Sequence, residues 1–394
     1  MKVLLVNNLF YPHIKGGAEI SVRLLAESLV KMGVDVAVIT TADRNKCDFI
    51  NGIRVCYLKI PNLYWVSVAK EQPLYKKPLW HLIDIYNFLA LKQVERIFSD
   101  ENPNIVHTHN LAGLSVSVWK AALNKSIPIV HTLRDHHLLC CKSSMFKKGR
   151  NCRRQCLTCR IYSLPKKRLS ASLQAVVGVS RYILDRHIDA GYFGGVSLKR
   201  VIPNAVPKVT TAHSEVNNDG VLRFGLIGYL CEGKGTEYAL RRFAAMNLDR
   251  AELLVFGNGV TKKYEEYLKR KYSSERIRFL GFVEQSRIYE MIDVTVFPSL
   301  WNEALPRTII ESFNHKIPVV ASNRGPAKEL IAEGITGFLY DPDREGEFES
   351  KVRLIHQDRA FLLKSKLACL TETMKYDCEK IAARYYALYR QVAE

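Results

Sequence analysis

Short β-branched runs alternate with longer amphipathic stretches from one end of the chain to the other. In the first half the runs are KVLLV, VDVAVIT, GIRVCYL, NIVHTH, IPIVHTL and AVVGVS; in the second they are RFGLIG, AELLVFG, IRFLGFV, VTVFPS and PVVAS. Many are apolar at consecutive rather than alternate positions, the pattern of parallel strands covered on both faces. Segments such as AEISVRLLAESLVKMG, apolar at helical spacing, lie between them. Strand, helix, strand in repetition predicts an α/β chain with parallel sheets and right-handed crossovers. The stretch PKVTTAHSEVNNDG, residues 207–220, is polar, turn-rich and without an apolar face, so it reads as a linker after a first domain of residues 1–206.

Each half begins with a strand that runs into a glycine-bearing turn. In the first, KVLLVNNLFYPHIKGGAE sets Gly16 and Gly17 ahead of a helix; in the second, FGLIGYLCEGKGTEYAL carries Gly228, Gly233, Lys234 and Gly235. Glycine at such a place lets the backbone turn sharply or approach a ligand, and the helix start behind it offers amides to an anion. Neither stretch matches the dinucleotide or P-loop fingerprint. A single one reads equally well as a plain turn; two in register across two domains point to a ligand.

Composition narrows the class. At 394 residues the chain exceeds one ordinary core, and two domains of about 150 to 200 residues are expected. With 47% hydrophobic and 25% charged residues it has the make-up of a globular protein, not a disordered one. No run of roughly 18 apolar residues offers a membrane span, and the opening MKVLLVNNLF breaks off at Asn7 and Asn8 before a signal-peptide core forms. A cytoplasmic location with mostly reduced cysteines is therefore expected. The net charge of +19 is uneven: residues 1–200 hold 30 Lys and Arg against 13 Asp and Glu, residues 201–394 hold 28 against 26. Between Lys142 and Arg168 ten basic residues occur with no acid. That run is either a solvated loop or a surface for phosphate-rich partners, an anionic membrane face among them. No nucleic-acid module is present, so nucleic acid is not an expected partner.

The candidate chemistry centres on WNEALPRTIIESF, residues 301–313. VTVFPS should end as a strand near Pro298, and Pro306 suits the first turn of a helix, which makes SLWNEAL the connecting loop. Ligands of open parallel sheets bind at the carboxyl ends of strands, so Glu303 belongs to a binding edge. Amides at Ala304 and Leu305 can hold a diphosphate, and a nearby carboxylate can accept hydrogen bonds from sugar hydroxyls. Glu311 falls more than a turn into the helix, beside Ile309, Ile310 and Phe313, where an acid needs a partner. On these local features alone, a helix-dipole acid and a surface acid describe the two glutamates as well.

The Glu-x7-Glu within NEALPRTIIESFNHKIPVVASNRGPAKELIAEGITGFLYDPD resembles the donor-site signature of retaining family-4 glycosyltransferases, of the kind used in bacterial surface polysaccharide assembly. The likeness extends through FYPHIKGGAE, VHTLRDHHLLC, VIPNAV, the turn from Gly228 to Gly235 and the closing segment YDCEKIAARYYALYRQV. It implies the GT-B fold, two Rossmann-like domains whose parallel sheets face each other across a cleft. The donor domain would be residues 221–375, and a last helix, residues 376–394, would cross back to the first domain. By resemblance Glu303 contacts the donor sugar, Glu311 the ribose, Lys234 the diphosphate, and Gly16 and Gly17 approach the donor from the other domain. Two positions depart from the pattern. Tyr229 follows Gly228 where an arginine is common, which leaves Arg307 to act with Lys234 on phosphate. Arg134, before Asp135, stands where a histidine is frequent in the acceptor-side loop. Arg134 and Asp135 join Lys234 and Glu303 as candidate catalytic residues, and none of His131, His136 and His137 is assigned as a base.

The implied reaction moves a sugar from a nucleotide-diphosphate sugar to a saccharide or lipid-diphosphate-linked acceptor, with retention at the anomeric carbon and no required cofactor. Two other readings fit the same fold: a sugar-nucleotide epimerase or phosphorylase, and a non-catalytic partner subunit that binds the sugar nucleotide. Separately, CCKSSMFKKGRNCRRQCLTC crowds Cys140, Cys141, Cys152, Cys156 and Cys159. Cys140, Cys152, Cys156 and Cys159 have spacing that can close a structural four-thiolate zinc site; a labile disulfide or free thiols are the alternatives.

Overall fold

The computed structural model describes residues 1–209 and 219–394. The centre of the expected linker, residues 210–218, lies outside the described residues. The chain forms two compact units. The first comprises Met1–Met145, Cys152–Pro207 and Cys378–Glu394; the second comprises Phe146–Asn151 and Lys208–Asp377.

The first unit contains β1 (Lys2–Val6), β2 (Asp35–Thr41), β3 (Lys46–Ile50), β4 (Ile53–Leu58), β5 (Ile105–Thr108) and β6 (Ile129–Leu133). After the two-residue strands β7 (Phe146–Lys147) and β8 (Arg150–Asn151), it resumes with β9 (Ala175–Gly178) and β10 (Leu198–Val201). Its eight-stranded sheet runs β10-β9-β6-β5-β1-β2-β4-β3, parallel except where β3 turns back on β4. Val3 to Val6 are fully buried because β1 has neighbours on both edges and helices on both faces, which is what a continuous apolar run requires. Each buried Val or Leu there stabilises the fold by about 1.5 to 3 kcal/mol.

The carboxyl-terminal helix Cys378–Ala393 is part of this unit's core. Ile381, Ala382, Tyr385, Leu388 and Tyr389, spaced as one helical face, pack with Val22, Ala26 and Leu29 of the helix Gly17–Lys31. The same face satisfies polar strand residues. The Tyr389 hydroxyl is 2.6 Å from His107 Nδ1, and the Tyr385 hydroxyl is 3.1 Å from Thr132 Oγ1.

The second unit holds β11 (Leu222–Ile227), β12 (Ala251–Phe256), β13 (Ile277–Gly281), β14 (Val294–Phe297), β15 (Val319–Ser322) and β16 (Gly337–Tyr340). All six are parallel in the order β13-β12-β11-β14-β15-β16. The order reverses between β11 and β14, so the loops leaving the carboxyl ends of these two strands flank the switch point where open α/β sheets bind ligands. Those loops carry Gly228 to Gly235 and Glu303. The β7–β8 hairpin, expected within the first domain, belongs to this unit. Among the described residues no helix is long and apolar enough to cross a membrane.

Candidate active site

The two switch-point loops interlock through missing side chains. Gly235 has φ +69°, and a Cβ there would stand 1.8 Å from the Pro298 carbonyl oxygen; a Cβ at Gly233 would meet the Trp301 ring at 2.4 Å. The amides of Leu300 and Trp301 donate to the Gly233 carbonyl at 2.9 and 3.0 Å. Gly228, just past β11, donates its N–H to the Phe256 carbonyl. This docking sets Lys234 beside Glu303, and its ammonium pairs with Glu303 Oε1. Ser299 Oγ and Trp301 Nε1 each lie 3.4 Å from the same oxygen, and the ammonium sits 5.8 Å from the Trp301 ring centroid.

Glu311 also has a cation. It lies one turn after Arg307 in the helix Arg307–Asn314, and Arg307 Nε and Nη2 donate to Glu311 Oε1 at 3.0 and 2.9 Å. Both side chains are largely buried, so the acid that needed a partner has a protein one in Arg307. Ala304 and Leu305 are nearly buried ahead of this helix, with Pro306 at the N-cap. Tyr229 is partly exposed beside Gly228.

The β7–β8 hairpin clasps the Glu303 loop, which no sequence signal had announced. Asn151 Nδ2 donates to the Leu300 carbonyl at 2.7 Å, and the Asn302 amide donates to Asn151 Oδ1 at 2.9 Å. Phe146 meets Trp301 edge to face at 6.2 Å. On the other side Gly325 donates to Asn302 Oδ1 at 2.8 Å. Asn151→Ala removes two hydrogen bonds worth about 1 kcal/mol each. Amide exchange at Asn302 and its neighbours should then speed up by about tenfold or more, with the unit's core amides unchanged. Unchanged exchange in this loop would show that the clasp does not hold it.

In the first unit Gly16 is the N-cap of the helix Gly17–Lys31, and its amide donates to Glu19 Oε2 at 2.7 Å. Its backbone is extended, with φ −163°, and a Cβ would meet only that oxygen at 3.6 Å. Neither conformation nor packing demands glycine there. Arg134, after β6, donates from Nε to His109 Nδ1 at 3.2 Å and also bonds Asn204 Oδ1. Asp135 accepts from the His137 amide and from Asn110 Nδ2, both at 2.7 Å.

Burial pushes the Asp135 carboxyl up to about 6 from its ordinary 3.8. A carboxyl that holds its proton longer when folded adds a stability that is complete below 3.8 and is lost as pH rises through about 6. Across that window the denaturation midpoint of the wild type should fall more steeply than that of Asp135→Asn; parallel curves would show that Asp135 is ionised throughout. Burial drives His131, His136 and His137 below the ordinary histidine range, to about 3 for His131 and about 4 for His136. All three are neutral packed rings.

The zinc expectation is not met. Cys140 shares thiol hydrogen bonds with Cys141 and Cys159, which push the Cys140 thiol down and the Cys159 thiol up. Cys152 instead closes the base of the hairpin, its amide donating to the Met145 carbonyl at 2.7 Å. Among the described residues no group of three or more His, Cys, Asp or Glu is arranged to hold a metal ion. The sequence between Cys141 and Cys152 is occupied by a hairpin of the other unit. All ten cysteines are unbridged.

Comparison with known proteins supplies the family. A model described as Glycosyltransferase Family 4 matches residues 15–209, and one described as Glycosyl transferases group 1 matches residues 212–369. An uncharacterized 42.6 kDa protein in the cps region of Klebsiella pneumoniae is 34% identical over 84% of this chain and 87% of its own length. An uncharacterized glycosyltransferase of Methanocaldococcus jannaschii is 23% identical over 100% of this chain and 99% of its own. In fold, sucrose-phosphate synthase of Thermosynechococcus elongatus superposes with a TM-score of 0.76 at 17% identity, covering 99% of this chain and 98% of that one. Anabaena HepE in complex with UDP-glucose does so with 0.72 at 18%, covering 99% and 100%. The chain therefore belongs to the family-4 glycosyltransferases and has their GT-B fold.

Proposed function

We propose that this glycosyltransferase moves a hexosyl group, with retention, from a nucleoside-diphosphate sugar to a saccharide or lipid-diphosphate-linked acceptor during assembly of a cell-surface polysaccharide. The observation that carries the reading is the Lys234–Glu303 pair at the switch point, fixed by glycines that a side chain would displace. The cps-region relative and the UDP-glucose complex of HepE support the context and the donor class.

In this reading Lys234 stabilises the charge that develops on the leaving diphosphate, Glu303 meets the donor sugar, and Glu311 with Arg307 takes the ribose and phosphate side. The bond from the anomeric carbon to the phosphate oxygen breaks, and the acceptor oxygen bonds that carbon on the same face. The acceptor's proton passes to the departing phosphate oxygen, so no protein nucleophile and no metal is needed; preorganised charge and positioning supply the acceleration. Gly16, where a side chain would meet little, and Gly17 are donor contacts by resemblance, and Arg134 with Asp135 acts on the acceptor side.

For the acceptor, a cavity of about 270 Å³ in the first unit is lined by Lys70, Lys77, Lys142, His81 and His137 with no carboxylate, beside the stacked Tyr64 and Trp80 rings. Its chemistry suits an anionic group attached to a sugar.

Calorimetric titration with UDP, GDP, ADP and CDP, followed by the anomeric configuration of the product, tests the proposal. One nucleotide should bind, and the product should keep the donor's configuration. An inverted product would overturn the mechanism. Binding without transfer to any acceptor would favour the non-catalytic partner subunit, for which the Tyr229 and Arg134 departures speak.

A further inference from the structure

Two helices of the first unit leave large apolar side chains in water. In the helix Lys76–Ile85 and the residue before it, Tyr75, Leu79 and Leu82 are 77%, 50% and 59% exposed, spaced as one face. In the helix Leu157–Ser170, Leu157, Ile161 and Leu164 are 72%, 61% and 49% exposed, again at helical spacing. The two helices pack on each other: the Tyr162 hydroxyl donates to the Pro78 carbonyl at 3.0 Å, and the Tyr162 and His81 rings meet at 5.9 Å. Leu79 follows Pro78 and Ile161 precedes Tyr162, so the exposed rows flank this junction. Single exposed leucines are ordinary; two adjoining rows of them mark an interaction surface.

Its rim identifies the partner. Arg153, Arg154, Arg160, Lys167 and Arg168 are exposed around the second row, and the sequence from Lys142 to Arg168 contains no acid. An apolar face bordered by cations on amphipathic helices is the pattern of segments that lie in the interface of an anionic bilayer, with the apolar row among the acyl chains and the cations at the headgroups. A second copy of this chain would bring the same cations against one another.

We infer that the helices Lys76–Ile85 and Leu157–Ser170 form a docking face for an anionic phospholipid bilayer. This deepens the reading of a lipid-diphosphate-linked acceptor and rests on it for biological purpose, but its measurement needs neither donor nor acceptor. The full chain is sedimented with vesicles of phosphatidylglycerol and phosphatidylcholine, and with vesicles of phosphatidylcholine alone. Binding should be strong on the first, weak on the second, and reduced by added salt. The double variant Leu79→Gln with Ile161→Gln, and separately Arg160→Gln with Arg168→Gln, should each lower affinity for the anionic vesicles by about tenfold or more with the melting temperature unchanged. Failure to sediment with anionic vesicles, or binding that neither variant weakens, overturns the inference. A dimer that the Leu79 and Ile161 variant converts to monomer, without vesicles, would assign the face to self-association instead and overturns it equally. Transfer to a soluble acceptor that persists while vesicle binding is absent would sink this inference and leave the transferase reading standing.

Discussion

Lys234→Ala should lower turnover at saturating donor by about 10² or more, the loss that follows removal of one preorganised charge-stabilising donor. The ammonium is held before any ligand arrives, by Glu303 on one side and by the Trp301 and Phe297 rings on the other. That placement costs nothing further when charge develops on the leaving group, so its effect should fall on kcat more than on the donor KM. The substitution also leaves Glu303 without its cation. Glu303→Gln in the same assay separates the two causes. If Lys234→Ala is slow only because Glu303 is uncompensated, pairing it with Glu303→Gln brings the rate to that of Glu303→Gln alone; if Lys234 acts on the diphosphate, the double variant is slower than Glu303→Gln by a similar further factor. Turnover within about twofold of wild type in Lys234→Ala would remove this residue from the mechanism.

Glu311→Ala should weaken nucleotide binding by about 10- to 100-fold, the equivalent of one hydrogen-bonded charged group. Because Arg307 is its partner, part of any loss comes from a largely buried arginine deprived of this carboxylate. The ligand can tell the contributions apart. A carboxylate that receives ribose hydroxyls predicts that the wild type discriminates against the deoxyribose analogue and that Glu311→Ala does not. It also predicts that inorganic diphosphate binds both proteins alike. Equal discrimination in both would place Glu311 in the helix as a structural partner of Arg307 and nothing more.

The interior of both sheets was legible in the sequence, and three of their four edges were not. All eleven apolar runs became strands, because burial on both faces writes itself as consecutive Val, Ile and Leu. The strands that went unread are β3, β10 and β16, each at a sheet edge, and the two-residue pair β7 and β8. β3, KCDFI, is exposed along most of its length and β10, LKRV, buries no residue fully, so neither carries an apolar signal for a reader to find. Glu303 and Glu311 were visible as a pair, but their partners were legible to different degrees. The spacing of Arg307 and Glu311, four apart in a helix, announces an ion pair by itself. The pairing of Lys234 with Glu303, 69 positions away, follows only from two loops meeting at the switch point. The cysteines show the opposite failure. Their spacing suggested a shared metal, whereas among the described residues no group of three or more ligands is arranged to hold one; what the spacing conceals instead is that the chain between Met145 and Cys152 is diverted into another unit.

That diversion bears on how such enzymes can be recombined. Six residues encoded in the middle of the first unit, Phe146–Asn151, furnish the Asn151 clasp on the loop that bears Glu303. A chimera that trades the carboxyl-terminal half for a relative's would set a foreign loop against this hairpin. The portable second unit is therefore discontinuous, and a graft that moves residues 208–377 without 146–151 should carry the Glu303 loop with its clasp unfastened.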